Sequence, residues 1–346
     1  MNKNKMPAPL AAGTWPDDDY EIKQLISQDS VSISYLAHHS LLDVDVMLRE
    51  FMPAHCSYRT PEGMIAALPG QDAALHAAYE EFLSNLRLFV SIQHANLSSV
   101  QSAFTGLTGT VYGVQTVPEG KPVTQAIPAA KADEKLLTRL LKQTLEVLEY
   151  LHNKRLSPID LTPQCFILSD DKELKINLFG NVRGLSDPVM SGTPGYAPVE
   201  LMQGGGNVGI WSVVYAIGAV FYQVITGKTP IPSAERIGKH DPYVSLASQD
   251  ALQKRFSLHF LSSIDKALSL WGEDRWQSYA EWKSALNAAP QAAPAGGAAA
   301  PGLRLGGGGG GGGLRLGGGG LSAAAGGGDA AKGGGGIVLG GKKGRR

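Results

Sequence analysis

The chain has 346 residues, a formal net charge of zero and two cysteines. Balanced charge gives no electrostatic footprint for nucleic acid or an anionic surface. Cys56 and Cys165 can build neither a disulfide framework nor a metal-ligand pair, and each reads as a small buried apolar residue.

Composition is uneven along the chain. Residues 291–346 hold 25 of the 44 glycines and no aromatic residue. Such a segment cannot bury enough apolar surface to offset its ordering entropy. The expected organisation is a disordered leader over 1–17, one folded unit over 18–287, and a Gly/Ala-rich low-complexity tail with a basic end over 288–346. The longest apolar run, 213–225, is too short to span a bilayer and reads as a buried core helix. The first residues lack the apolar run of a signal peptide, so cytoplasm is the expected compartment.

In chain order, 20–25 and 33–38 read as strands joined by a polar turn, Ser27 to Ser32. A third strand holds Val46, Met47, Leu48, Arg49, Glu50 and Phe51. Residues 73–92 read as a helix with apolar Phe82, Leu86, Phe89 and Val90. Residues 111–117 read as another strand, followed by a turn at Glu119-Gly120-Lys121-Pro122. The amphipathic helix 134–152 carries Leu137, Leu140, Leu141, Leu145, Leu148 and Leu151 on one stripe, which marks core. Asp170 and Asp171 form a hairpin turn before Lys172.

The stretch 156–180, LSPIDLTPQCFILSDDKELKINLFG, resembles the protein-kinase pattern H-R-D-x-K-P-x-N followed by D-F-G. Pro158 stands at the His, Ile159 at the Arg, Asp160 at the Asp, Thr162 at the Lys, Cys165 at the Asn and Leu178 at the second Asp. Phe179 and Gly180 remain. Residues 191–200, SGTPGYAPVE, resemble the G-T-P-G-Y-A-P-P-E that closes the activation segment of bacterial Ser/Thr kinases. Trp211 to Gly218 resembles W-T-D-V-Y-A-L-G with Val213 at the aspartate, and His94 sits in a turn like R-H-P-N-I. The chain thus resembles the bacterial Ser/Thr (Hanks-type) kinase family as a degenerate member. The implied fold is α+β and bilobal. It has a small antiparallel β lobe with one long helix (18–117) and a large, mainly helical lobe (118–287).

The resemblance also assigns roles. Arg49 stands at the phosphate-binding lysine, and Asn85 at the helix glutamate that would orient it. Ser27, Asp29, Ser30 and Ser32 replace the glycine-rich phosphate loop, which adds bulk and puts a carboxylate where phosphate charge would lie. Met47 stands where a small alanine roofs the adenine, and its thioether could fill that slot. Glu200 should pair with Arg275. Asp160 is the only retained catalytic-loop position, with a turn or capping carboxylate as its alternative reading, and Arg49 is vestigial. No catalytic, nucleotide-binding or metal residue is therefore expected, and binding of ATP and Mg²⁺ should be lost or very weak. No phospho-switch of the usual kind is expected either, although Ser186, Ser191 and Thr193 remain modifiable.

The implied function is that of a pseudokinase, a protein-binding scaffold or allosteric regulator. Its partner would be a kinase, a phosphatase or a secretion-machinery component. The alternative is a kinase-fold enzyme with residual or non-standard ATP-dependent transferase activity. The tail, with its Leu303-Arg304-Leu305 and Leu314-Arg315-Leu316 islands, reads as a flexible spacer or a tether.

Overall fold

The computed structural model describes residues 6–179, 182–184, 192–202 and 207–288. Ser186, Ser191 and the predicted tail lie outside them, apart from Ala288.

The small lobe is a five-stranded antiparallel sheet in the order β1-β2-β3-β7-β6. Its strands are β1 (Tyr20–Gln28), β2 (Ser32–His39), β3 (Val44–Phe51), β6 (Val100–Thr105) and β7 (Val111–Thr116). A hairpin, β4 (Ser57–Arg59) with β5 (Ile65–Ala67), and the helix α1 (Asp72–Ser91) lie between β3 and β6. The helix buries Phe82, Leu86 and Phe89. Phe51 of β3 meets Phe82 with ring centroids 5.2 Å apart. Val90, predicted on the apolar face, is 47% exposed. The i, i+4, i+7 spacing of Phe82, Leu86 and Phe89 defines the buried stripe and leaves residue 90 beside it.

The opposite face of the sheet carries a second core of Ile22, Ile33, Tyr35, Leu48, Tyr112 and Val114. Here the leader departs from expectation. Residues 6–17 are packed against the small lobe rather than unstructured. Leu10 is buried in this second core. Gly13 N donates to Ile22 O at 2.8 Å, and Ile22 N to Thr14 O at 2.9 Å. Leu10 N donates to the Tyr35 hydroxyl at 2.9 Å, and Arg59 Nε to Ala8 O at 2.8 Å. Beneath the leader, the fully buried Glu50 accepts from Tyr35 (2.8 Å), Tyr112 (2.8 Å) and Arg59 (2.6 Å). A carboxylate so deep is tolerable only with such a set of donors.

The large lobe begins with β8 (Lys121–Pro122) and α2 (Val123–Ala126). Lys121 and Pro122, predicted as the end of a turn, pair with β10 (Phe166–Leu168), which also pairs with β11 (Leu174–Ile176). Helix α3 (Glu134–Asn153) starts at Asp133, whose carboxylate accepts from Leu136 N, and it buries the predicted leucine stripe. After β9 (Leu156–Pro158) comes β12 (Val182–Gly184), and these two pair antiparallel. Then follow α4 (Val199–Met202), α5 (Ile210–Thr226), α6 (Asp250–Gln253), α7 (Leu258–Ala267) and α8 (Tyr279–Asn287). Helix α5 is apolar nearly all round and buried on most of its surface, as a central core helix must be. It stops at Gly227, whose φ of 76° is the left-handed cap that glycine adopts without strain.

Candidate functional site

The site lies where the β1–β2 turn, β3, α1 and the loop after β9 converge. The β1–β2 turn is built by Asp29. Its Oδ1 accepts from Val31 N (2.8 Å) and Ser32 N (2.9 Å), and its Oδ2 from the Ser32 hydroxyl (3.0 Å). Ser32, predicted to replace a glycine, thus helps to shape a closed polar turn.

Strand pairing sets Ser34 opposite Arg49, which carries the Arg49 side chain toward that turn. Arg49 Nη2 forms an ion pair with Asp29 Oδ2 at 2.6 Å, and Nη1 donates to Phe179 O at 2.7 Å. The guanidinium carbon lies 5.6 Å from the Phe179 ring centroid. Arg49 is only 8% exposed. Burial pushes its pKa below the ordinary arginine value, with Asp29 opposing the shift. The cation at the phosphate-lysine position is therefore held by this chain's own carboxylate. Sequence reasoning placed Asp29 as a repulsive charge and missed the pairing. The available signal was chemical: a buried arginine needs an anion, and Asn85 cannot supply one.

Asn85 does line the same cavity as Arg49, a space of about 520 Å³ that also touches Asp29, Phe82, Ile159 and Asp160. Met47 is half-buried, and its sulfur lies 3.8 Å from Asn177 Nδ2. Asn177 Oδ1 accepts from the buried Gln115 at 3.1 Å, which ties β7 to the large lobe.

On the large-lobe side, Asp160 Oδ1 accepts from Thr193 N (3.1 Å) and Oδ2 from the Thr193 hydroxyl (2.6 Å). Thr193 opens the turn that bonds back from Tyr196 and Ala197. The carboxylate caps that turn from 33 residues away, so the capping reading is met across the fold rather than locally. Cys165 and Leu178, at the two metal-ligand positions, are 5% and 1% exposed. A thiol and an isobutyl group offer a hard cation no oxygen. Met47, Cys165, Leu178 and Val213 thus put soft or apolar side chains at the positions where the resemblance expects an alanine, an asparagine and two aspartates.

The frame around the cleft is held by the predicted pair. Arg275 Nη1 meets Glu200 Oε1 at 2.8 Å, with side chains 0% and 11% exposed. His94 accepts from Asn96 N at 3.1 Å, in the structural turn expected of it.

The model of the protein kinase domain family matches residues 70–280, more than half of the chain. Among curated proteins, Aurora kinase A-A of Xenopus laevis is 26% identical over 179 residues, covering 47% of this chain and 43% of that protein. Mitogen-activated protein kinase HOG1B of Wallemia ichthyophaga is 25% identical over 190 residues, covering 52% and 51%. The chain spans about half the length of these relatives. A solved structure, the apo form of PpkA-294, is 26% identical with a TM-score of 0.64, over 80% of this chain and 99% of that one. No helix among the described residues is long and apolar enough to cross a membrane. With the bilobal architecture, the Glu200–Arg275 pair and the family match in agreement, this chain belongs to the protein kinase domain family.

Proposed function

We propose that this chain is a pseudokinase, a kinase-fold domain that binds protein partners and no longer transfers phosphate. The observation that carries the reading is the Arg49–Asp29 ion pair at 2.6 Å. Phosphoryl transfer rests on positioning and charge neutralisation by a free cation and metal ions. Here the cation is already neutralised, and the residues at the metal-ligand positions are Cys165 and Leu178. These side chains offer Mg²⁺ no oxygen ligand and do not fit it. Electrostatic stabilisers are worth roughly 2.7–4 kcal/mol each, and losing several that act together leaves no useful rate. Half-buried Met47, its sulfur 3.8 Å from Asn177 Nδ2, stands where the resemblance puts a small alanine over adenine, and we infer that its thioether fills that slot. What remains is a stable two-lobed surface, suited to a kinase, a phosphatase or a secretion-machinery component.

A second reading, a non-standard ATP-dependent transferase, draws on one observation: Arg49 and Asp160 both line the cavity of about 520 Å³. The two readings part in one experiment. The full chain is melted with increasing ATP and Mg²⁺ or Mn²⁺. A ligand at 100 times its Kd would stabilise by about 2.7 kcal/mol. The pseudokinase reading expects no saturating rise in Tm. A saturating rise accompanied by phosphate transfer to a protein substrate overturns it.

A further inference from the structure

The large lobe carries a second concave surface, remote in sequence from the cleft. Four large apolar residues are exposed among the described residues of this lobe: Ile237, Val244, Leu258 and Trp271. Trp271 (46% exposed) and Ile237 (45%) line one groove of about 470 Å³, and Val244 (58%) follows Tyr243, which lines it too. Exposed apolar surface gathered round one concavity marks an interaction site more than scattered residues do.

The charge of the groove is one-sided. Three aspartates, Asp241, Asp265 and Asp274, line it against one arginine, Arg236. Arg236 is already spent. It pairs with Asp241 at 2.7 Å, donates to Leu268 O at 2.7 Å, and lies 4.5 Å from the Tyr243 ring centroid. Asp265 is held by uncharged donors: Tyr243 and Ser245 hydroxyls, each at 2.6 Å, and the amides of Leu246 (2.8 Å) and Ala247 (2.9 Å). Its charge is fixed in place and not cancelled by these contacts. Asp274 is exposed. It closes the 3₁₀ turn Gly272–Asp274 that Trp271 opens, with Asp274 N donating to Trp271 O at 3.2 Å. Trp271 and Asp274 thus flank this turn, and both line the groove.

We propose that this groove docks a basic, partly apolar segment of a partner protein, with an arginine laid against Trp271 and Asp274. A guanidinium stacks on an indole face and bonds a carboxylate with its planar fork, which an ammonium cannot do together. The flanking apolar residues of the segment would cover Ile237. This docking site is independent of the fate of the cleft. It names the chemistry of a partner and holds whether or not nucleotide binds.

The test titrates the full chain into a fluorescein-labelled peptide, Gly-Ala-Leu-Arg-Leu-Arg-Ala amide, followed by anisotropy. Saturable binding is expected, weakened by added salt. Asp274→Lys and Trp271→Ala should each weaken it about tenfold or more, as central aromatic and charged anchors do. Glu80→Lys, the same charge change on α1, should leave it unaltered. A peptide with both arginines replaced by aspartate should not bind. Asp274 is an exposed turn residue, so its variant reports on docking even where Trp271→Ala impairs folding. Absence of saturable binding, or equal affinity for wild type and Asp274→Lys, overturns the proposal and leaves the nucleotide experiment unaffected.

Discussion

Replacing Arg275 by methionine removes the centre of the large lobe's polar frame. Its guanidinium donates to Glu200 Oε1 (2.8 Å) and Oε2 (3.2 Å), and to the carbonyls of Ser269 (2.8 Å), Leu270 (2.6 Å) and Trp211 (3.1 Å). It also lies 4.8 Å from the Tyr215 ring centroid. Methionine fills similar space and satisfies none of these groups. Among the described residues, Glu200 then keeps only the Ser212 hydroxyl at 2.7 Å. One-sided loss of a buried pair costs about 3–5 kcal/mol, and three stranded carbonyls place the expected value at about the upper end. Domains of this kind have about 5–15 kcal/mol in total. At about 2–4 °C per kcal/mol, Tm should fall by about 10–20 °C. Differential scanning calorimetry on the full chain reads it directly. Glu200→Gln should cost less, since the amide oxygen still accepts. The double variant Glu200→Leu with Arg275→Met should recover part of the loss. A fall under about 3 °C for Arg275→Met, less than about 0.8–1.5 kcal/mol, would refute the claim that this pair holds the lobe together.

Three further outcomes follow from other parts of the molecule. Deleting residues 1–17 removes the leader bonds to Tyr35, Arg59 and Ile22. At about 0.5–1.5 kcal/mol each, the four bonds should total about 2–6 kcal/mol, and an unchanged melting curve would return the leader to the status of a loose end. Gly113→Ala would set a methyl carbon against the Phe179 ring and within 2.6 Å of a Leu86 methyl. Overpacking of this kind costs about 1–3 kcal/mol, so chemical denaturation should show a lower midpoint with an unchanged slope. Finally, burial, reinforced by the Glu50 charge, raises the phenol pKa of Tyr35 and Tyr112. The fold keeps the neutral phenols, so their contribution is complete below about pH 10 and is lost above it, where the unfolded chain releases those protons first. Tyrosinate absorbance and far-ultraviolet circular dichroism should therefore change together in alkali. A full titration of all 11 tyrosines near pH 10 in a still-folded protein would contradict this.

The frame was legible in the sequence because the residues that build it are bulky, periodic or motif-bound. The leucine stripe of α3, the apolar run of α5 and the Glu200–Arg275 pair each follow from residue type at fixed spacing. The leader was not legible. Its hold is largely backbone amides and carbonyls meeting Tyr35, Arg59 and Ile22, and composition does not encode where a backbone group finds its partner. The Asp29–Arg49 pair was hidden for a related reason. The two residues lie 20 apart and are brought together by strand register, with Ser34 opposite Arg49. Thr193 and Asp160 meet only through the tertiary fold. Motif comparison shows which groups are missing from a cleft, but not which surviving groups have found one another.

The Arg49–Asp29 contact has a consequence for how this cleft could change. A return to glycine at position 29 would strip the counter-ion from a guanidinium that is 8% exposed, so the protein would weaken before any nucleotide could reward the change. A return to lysine at 49 would lose the fork that spans Asp29 and the Phe179 carbonyl. Each single step backward breaks one half of a bond whose other half still needs it. Under the proposed pseudokinase reading, such a contact works as a one-way gate in descent: once formed, it makes recovery of phosphoryl transfer depend on two simultaneous changes.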